Sequence, residues 1–186
     1  MKSIIRIAML ASAVMIGTIS YAQTEKTVMV GGAAMYPSKN IIENALNSKE
    51  HTTLVAAVKA AGLVETLQSD GPFTVFAPTN AAFDMLPKGT VETLVKPENK
   101  AMLTAILTYH VVAGRIDAAE LARQIKSGNG KAELTTVSGG KLWAMMKGKK
   151  VVLTDEKGGM STVTTADVYQ KNGVIHVIDH VVLPKS

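Results

Sequence analysis

The sequence predicts an α+β domain with its helices and strands in separate layers, and three observations predict it. Apolar residues recur at helical spacing through much of residues 38–125. Five short β-rich runs separated by glycine-bearing turns follow them. The chain changes character once, near Gly128-Asn129-Gly130. Helices first and antiparallel strands later give segregated layers, whereas regular alternation would give helices wound around a parallel sheet.

The first residues read as a targeting segment. Lys2 and Arg6 form a positive n-region, and Ile7 to Ile19 make an apolar stretch too short to span a bilayer comfortably. Ser20-Tyr21-Ala22 then places small residues at the two positions a signal peptidase reads. The expectation is a signal peptide over 1–22, cleaved after Ala22. The product is exported, periplasmic or secreted, with no integral membrane segment after cleavage. The chain has no cysteine, so no lipid anchor follows the apolar stretch. Removing 22 of 186 residues leaves 164, which suits one domain with a well-filled core. Residues 23–37 are poorly patterned and glycine-bearing and read as an N-terminal leader. Residues 38–184 read as a single domain, without a linker, repeat or low-complexity tract.

Each element of the domain has a local reason. Ser38 opens a helical segment with Glu43 in its first turns, where a carboxylate suits the positive end of the helix dipole. Thr52-Thr53 reads as the cap of a helix carrying Leu54, Val55, Val58 and Ala61 on one face, which Gly62 breaks from a second helix over 63–67. In Gly71-Pro-Phe-Thr-Val-Phe-Ala-Pro-Thr-Asn-Ala-Ala-Phe83 a Gly-Pro turn leads into a strand-like run that Ala77-Pro78 stops. Thr79-Asn80 stands where a cap would, with Thr79 supplying the oxygen for a following helix. Phe73, Val75, Phe76 and Phe83 read as core. Thr90 reads as the next cap, Pro97 as an early helical residue before 98–109, and Asp117 as the cap of 118–125. Strands are expected at 133–137, 141–146, 150–154, 161–165 and 174–178. Asn172-Gly173 is the strongest turn signal, for a type I′ hairpin.

Composition narrows the function. Lys2 and Arg6 are two of the 20 basic residues, so the remainder carries 18 against 15 acids, a charge of +3 without a polybasic run. This favours acidic polymers weakly and, with export, argues against nucleic acid. The absence of cysteine leaves the fold to its core alone. At 4% aromatic residues, a surface that stacks sugars or bases is disfavoured. His176 and His180 are four residues apart in a β-rich run, about 13 Å along a strand. Two imidazoles so placed do not share an ion bound at about 2 Å. Asp179 beside His180 could orient an imidazole, but no serine is poised by sequence and no Gly-x-Ser-x-Gly occurs. Gly128-Asn129-Gly130-Lys131 lacks the earlier glycine of a phosphate loop and leads into a strand. Met145, Met146 and Met160 read as packing residues rather than as copper ligands. No catalytic residue, metal site or cofactor is assigned.

Two of these stretches carry a resemblance. Residues 71–83 resemble the first homology box of the fasciclin (FAS1) domain, and Asn172-Gly-Val-Ile-His-Val-Ile-Asp-His-Val-Val-Leu-Pro184 resembles the second. Leu107-Thr-Tyr-His-Val-Val112 is similar to the family's Tyr-His segment between them. The resemblance implies a wedge-shaped β-sandwich with a packed helical layer, the two boxes paired in the core, and Asp179 and His180 as a buried or semi-buried polar pair. It also implies an extracellular, non-enzymatic binding module for adhesion or for contact with an envelope or matrix protein or polysaccharide, the alternative being a carrier of an apolar lipid, pigment or aromatic. Tyr109 and His110 are the candidate adhesion residues it supplies. Phe73, Phe76, Pro78, Thr79, Asn80, Phe83, Asp179 and His180 are its structural residues. The Asp-Ile motifs of animal members are not matched, because Ile116-Asp117 and Ile178-Asp179 run in reverse order.

Overall fold

A computed structural model describes residues 26–185, and the proposed signal peptide lies outside them. The chain opens with a hairpin, β1 (Val28–Val30) and β2 (Ala33–Met35), followed by three helices, α1 (Ile41–Ala45), α2 (Thr52–Ala61) and α3 (Val64–Gln68). Strand β3 (Phe73–Pro78) comes next, then α4 (Asn80–Asp84), α5 (Thr90–Leu94) and α6 (Lys100–Tyr109), a short β4 (Val111–Ala113) and α7 (Ala118–Ser127). The chain finishes with β5 (Lys131–Thr135), β6 (Lys141–Lys147), β7 (Lys150–Thr154), β8 (Met160–Gln170) and β9 (Gly173–Ile178).

Seven strands form one sheet in the order β4-β3-β9-β8-β7-β6-β5. The two boxes pair directly: β3 runs parallel to β9, with Phe73 opposite Gly173 and Pro78 opposite Ile178. The approach is close, since a Cβ on Gly173 would stand 2.1 Å from the Phe73 carbonyl oxygen. Every other pairing is antiparallel. Strand β8 serves both halves of the sheet, its first residues against β7 and its remainder against β9. The ends of the sheet then meet at a bridge between Val112 and Thr136.

Two cores result. Between the sheet halves lie Phe76, Leu121, Leu142, Leu153 and Ile178, sealed by α7. Between the helical layer and β3, β4, β8 and β9 lie Val58, Leu103, Leu107, Val75 and Ile175. Phe83 is buried in the second of these and Phe73 packs half-buried against it.

The structure revises several local readings. Residues 28–35, expected as part of a leader, form the hairpin, and Val30 and Met35 join the core. The segment expected to open at Ser38 becomes helical only at Ile41, where Asn40 caps α1 in a reciprocal box with Glu43. Thr52 and Thr90 are first helical residues rather than caps. A strand not expected from the sequence follows α6 at Val111–Ala113. The helix stops at Tyr109, and the β-branched pair Val111-Val112 extends as β4 beside β3. The β8–β9 turn is not a type I′ Asn-Gly loop. Gln170 pairs with Gly173 across Lys171-Asn172, and none of these loop residues has positive φ. β8 also outruns its expected end at Thr165. Two register shifts carry it past Ala166-Asp167, with Asp167 at φ 58°.

Candidate functional site

Tyr109 and His110 end α6 in the interior, at 0% and 2% exposure. The Tyr109 hydroxyl donates to the Lys141 carbonyl at 2.6 Å and accepts the Glu156 N–H at 3.2 Å. Its ring lies so close to Gly140 that a Cβ there would meet Cε2 at 2.7 Å. Burial is the main reason its hydroxyl is pushed up to about 12. His110 donates from Nδ1 to the Ile106 carbonyl at 2.8 Å and accepts the Val182 N–H at Nε2, 3.2 Å away. Those two bonds require the neutral ring. Burial lowers its pKa from 6.5 to about 4, against the opposing pull of the Ile106 carbonyl and Asp155. The pair joins α6 to β6, to the β7–β8 turn and to the C-terminal strap. It presents no surface to a partner.

Asp179 and His180 leave the sheet past the end of β9. His180 Nδ1 lies 2.8 Å from Asp179 Oδ1, and their side chains are 49% and 34% exposed. Asp179 is half-buried, as the resemblance implies, whereas His180 is exposed, contrary to it. Partial burial works against the Asp179 charge, but His180 and the Thr162 N–H outweigh it and hold the carboxyl below its ordinary value. The fold also brings Ser161 here, a neighbour the sequence did not reveal. Its hydroxyl contacts Asp179 Oδ1 at 3.3 Å and the His180 carbonyl at 2.9 Å, and the buried serine makes no bond to the imidazole. A nucleophile needs the histidine ring nitrogen as its base, so serine, histidine and aspartate meet here in a non-catalytic order. His176 and His180 do not meet at all. His176 is fully buried, bonded to the Asp167 N–H and the Ile116 carbonyl and stacked on Phe76.

The other members of the first box act as staples. Pro78 is buried at the end of β3, and the Thr79 side chain caps α4 by accepting the Ala82 N–H. Asn80 reaches further. Its Oδ1 accepts the Thr53 N–H at 3.0 Å and its Nδ2 donates to the Lys49 carbonyl at 3.0 Å, so it caps α2, whose own N-cap residue, His51, provides no side-chain bond. Asn172 does the same from the second box. It accepts the Ile41 N–H and donates to the carbonyls of Leu67 and Ser69. Both residues look like turn formers in sequence; their partners lie far along the chain.

An apolar cavity of about 70 Å³ lies between the helical layer and the sheet, lined by Met35, Ile42, Leu54, Val58, Phe76 and Val111 among others. His51 borders it. Its Nδ1 meets Ser48 Oγ at 2.8 Å, and its Nε2 has no partner in hydrogen-bond geometry among the described residues. Burial lowers its pKa against the opposing Ala77 carbonyl and Glu50, and burial likewise lowers that of His176.

These three histidines predict acid lability. Each is protonated more readily in the unfolded chain than in the fold. Below about pH 6.5 the unfolded state therefore binds more protons, and stability rises with pH through that window. Urea titrations are expected to give a constant unfolding free energy between about pH 7.5 and 9. It should fall as pH drops through 6.5 toward 4, with His110 alone accounting for roughly 3 kcal/mol by pH 4. Equal stability at pH 7.5 and 5 would contradict this.

Comparison with known proteins agrees with this architecture. Residues 49–184 match the fasciclin domain model. The chain is 52% identical over 161 residues to protein sll1483 of Synechocystis sp., covering 87% of this chain and 82% of the relative. It is 37% identical over 147 residues to immunogenic protein MPB70 of Mycobacterium bovis, covering 76% and 67%. Against human periostin it is 32% identical over 131 residues, 70% of this chain but 14% of periostin. In structure, it superposes on a FAS1 domain pair from the insect cell adhesion molecule fasciclin I with a TM-score of 0.55. That match has 24% identity and covers 70% of this chain and 43% of the other. With the two boxes paired as β3 and β9 and the domain model matched from Lys49 to Pro184, the chain belongs to the fasciclin (FAS1) family.

Proposed function

We propose that the protein is an exported, non-enzymatic binding module for cell adhesion or for contact with an envelope or matrix protein or polysaccharide. Family membership carries this reading, and a structural neighbour comes from a cell adhesion molecule. The non-catalytic order of Ser161, Asp179 and His180 supports it. Among the described residues no helix is long and apolar enough to cross a membrane. The contact surface lies away from Tyr109 and His110, because both are interior. The test is co-sedimentation of the mature protein with envelope fragments and matrix from the producing cells. Saturable binding is expected, and its absence from both fractions would sink the reading.

The apolar cavity favours carriage of a small molecule as the second reading. At about 70 Å³ it falls well short of the roughly 300–1,000 Å³ of ordinary ligand pockets. It suits a small apolar molecule better than a lipid or pigment. Native mass spectrometry of the same preparation separates the two readings by a discrete bound mass that is lost on denaturation.

A further inference from the structure

Helix α7 packs on the inner face of the β5–β8 half-sheet, and among the described residues the outer face is exposed along β5 and at the β6–β7 hairpin. Along β5 the side chains alternate, with Ala132 and Leu134 buried and Lys131, Glu133 and Thr135 exposed. Across the ladder Lys131 stands opposite Met145, Glu133 opposite Trp143 and Thr135 opposite Lys141, and Lys147 stands opposite Lys150 on β7. This face therefore carries Lys131, Lys141, Lys147 and Lys150 around the chain's one tryptophan, with Glu133, and Glu156 beside Lys141, as carboxylates at the end away from the hairpin. Glu133 is already engaged. Lys141 Nζ lies 2.6 Å from its Oε1, and Trp143 Nε1 donates to its Oε2 at 3.3 Å. Lys131 Nζ sits 4.7 Å from the Trp143 ring centre.

One end of this face is uncompensated. Residues 144–151, the β6–β7 hairpin, contain Lys147, Lys149 and Lys150 and no acid, and the register of β5 on β6 sets Lys131 beside Met145 near them. The hairpin tip is a two-residue turn with Gly148 at φ 64° and no positive φ at Lys149, the pattern of a type II′ turn. It holds Lys147 directly across from Lys150. Like charges placed opposite one another across a ladder oppose pairing. Among the described residues neither Lys147 nor Lys150 is in an ion pair, and an external polyanion would relieve the repulsion.

We propose that this face binds an acidic polysaccharide, with Lys131, Lys147, Lys149 and Lys150 neutralising its carboxylate or sulfate groups. The inference rests on the binding-module reading and names its partner class and surface. The lysines suit a linear polyanion laid across the strands, since opposed residues lie about 5 Å apart and diagonal ones about 7–8 Å apart.

The experiment uses the mature protein and three immobilised or suspended probes: alginate, neutral dextran, and vesicles of phosphatidylglycerol with phosphatidylcholine. Binding to alginate that weakens with salt, without retention on dextran, is expected. The variant Lys147→Gln/Lys149→Gln/Lys150→Gln should bind alginate about tenfold more weakly. A control variant with three exposed lysines of the helical side removed, Lys59→Gln/Lys88→Gln/Lys96→Gln, should bind as the parent does. Thermal melts of both variants confirm folding. Equal losses in both variants would reduce the effect to net charge and overturn the proposal. So would an absence of alginate binding, or tighter binding to the vesicles. If alginate binding fails while envelope co-sedimentation persists, this inference falls and the binding-module reading stands. If both fail, both fall.

Discussion

Asn172→Ala is expected to destabilise the protein by about 3–5 kcal/mol. The carboxamide closes three hydrogen bonds in the interior, at 3.0 Å to the Ile41 N–H and 2.8 Å to each of the Leu67 and Ser69 carbonyls. Alanine leaves the helix-start N–H of α1 and two carbonyls at the end of α3 without that partner. Each buried polar group so stranded costs about 1–3 kcal/mol. Asn172 is 4% exposed, so water has little access to replace what is lost. The neighbourhood amplifies the effect: Asn44 donates to Gln170 and to the Tyr36 carbonyl beside it, and its Oδ1 accepts the Tyr36 N–H. Urea denaturation at pH 7.5 measures the loss. A change under about 1 kcal/mol would mean that these helices hold their places without the amide.

Tyr109 carries the second large effect. Tyr109→Ala removes a fully buried ring from the core between the sheet halves, and a cavity of that kind costs about 3–5 kcal/mol. Tyr109→Phe keeps the ring and deletes only the hydroxyl that serves Lys141 and Glu156, for a loss of about 1–3 kcal/mol. The phenylalanine variant also tests how this segment bears on binding. The hydroxyl lies inside, so folded Tyr109→Phe should bind envelope material as the parent does. Loss of binding with unchanged stability would instead make Tyr109 a direct contact. The resemblance drew attention to Tyr109-His110 as an adhesive element; the fold uses it as a joint between α6, β6 and the C-terminal strap.

Much of the fold was legible in the sequence because its signals are local. Thr79 and Asp117 cap the helices they precede, each by accepting the N–H three residues on. Strand β7 matches its expected bounds, and β5, β6 and β9 come within a few residues. These elements obey periodicity and capping rules that act over a few residues. The misread elements are those whose conformation is set by a distant partner. Val111-Val112 follows a helix, but a free edge of β3 is available to it. Ala166-Asp167 is poor strand sequence, yet β9 carries β8 through it by register shifts, and Asp167 spends its carboxylate on the first N–H of α7.

The candidate site divides the same way. The sequence by itself determined the family resemblance, the layered α+β class and the local caps and strands. Each of these resides in residue identity and order. The pairing of the two boxes came with the resemblance and is seen in the structure. Only the tertiary structure decided exposure. It turned Tyr109, His110 and His176 inward, set Asp179 and His180 at the surface with Ser161 on the wrong side of the dyad, and sent Asn80 and Asn172 to cap helices elsewhere in the chain. The physical reason is that burial and hydrogen-bond partnership belong to pairs of residues. A polar side chain looks the same in sequence whether it meets water, a ligand or a backbone group a hundred residues away.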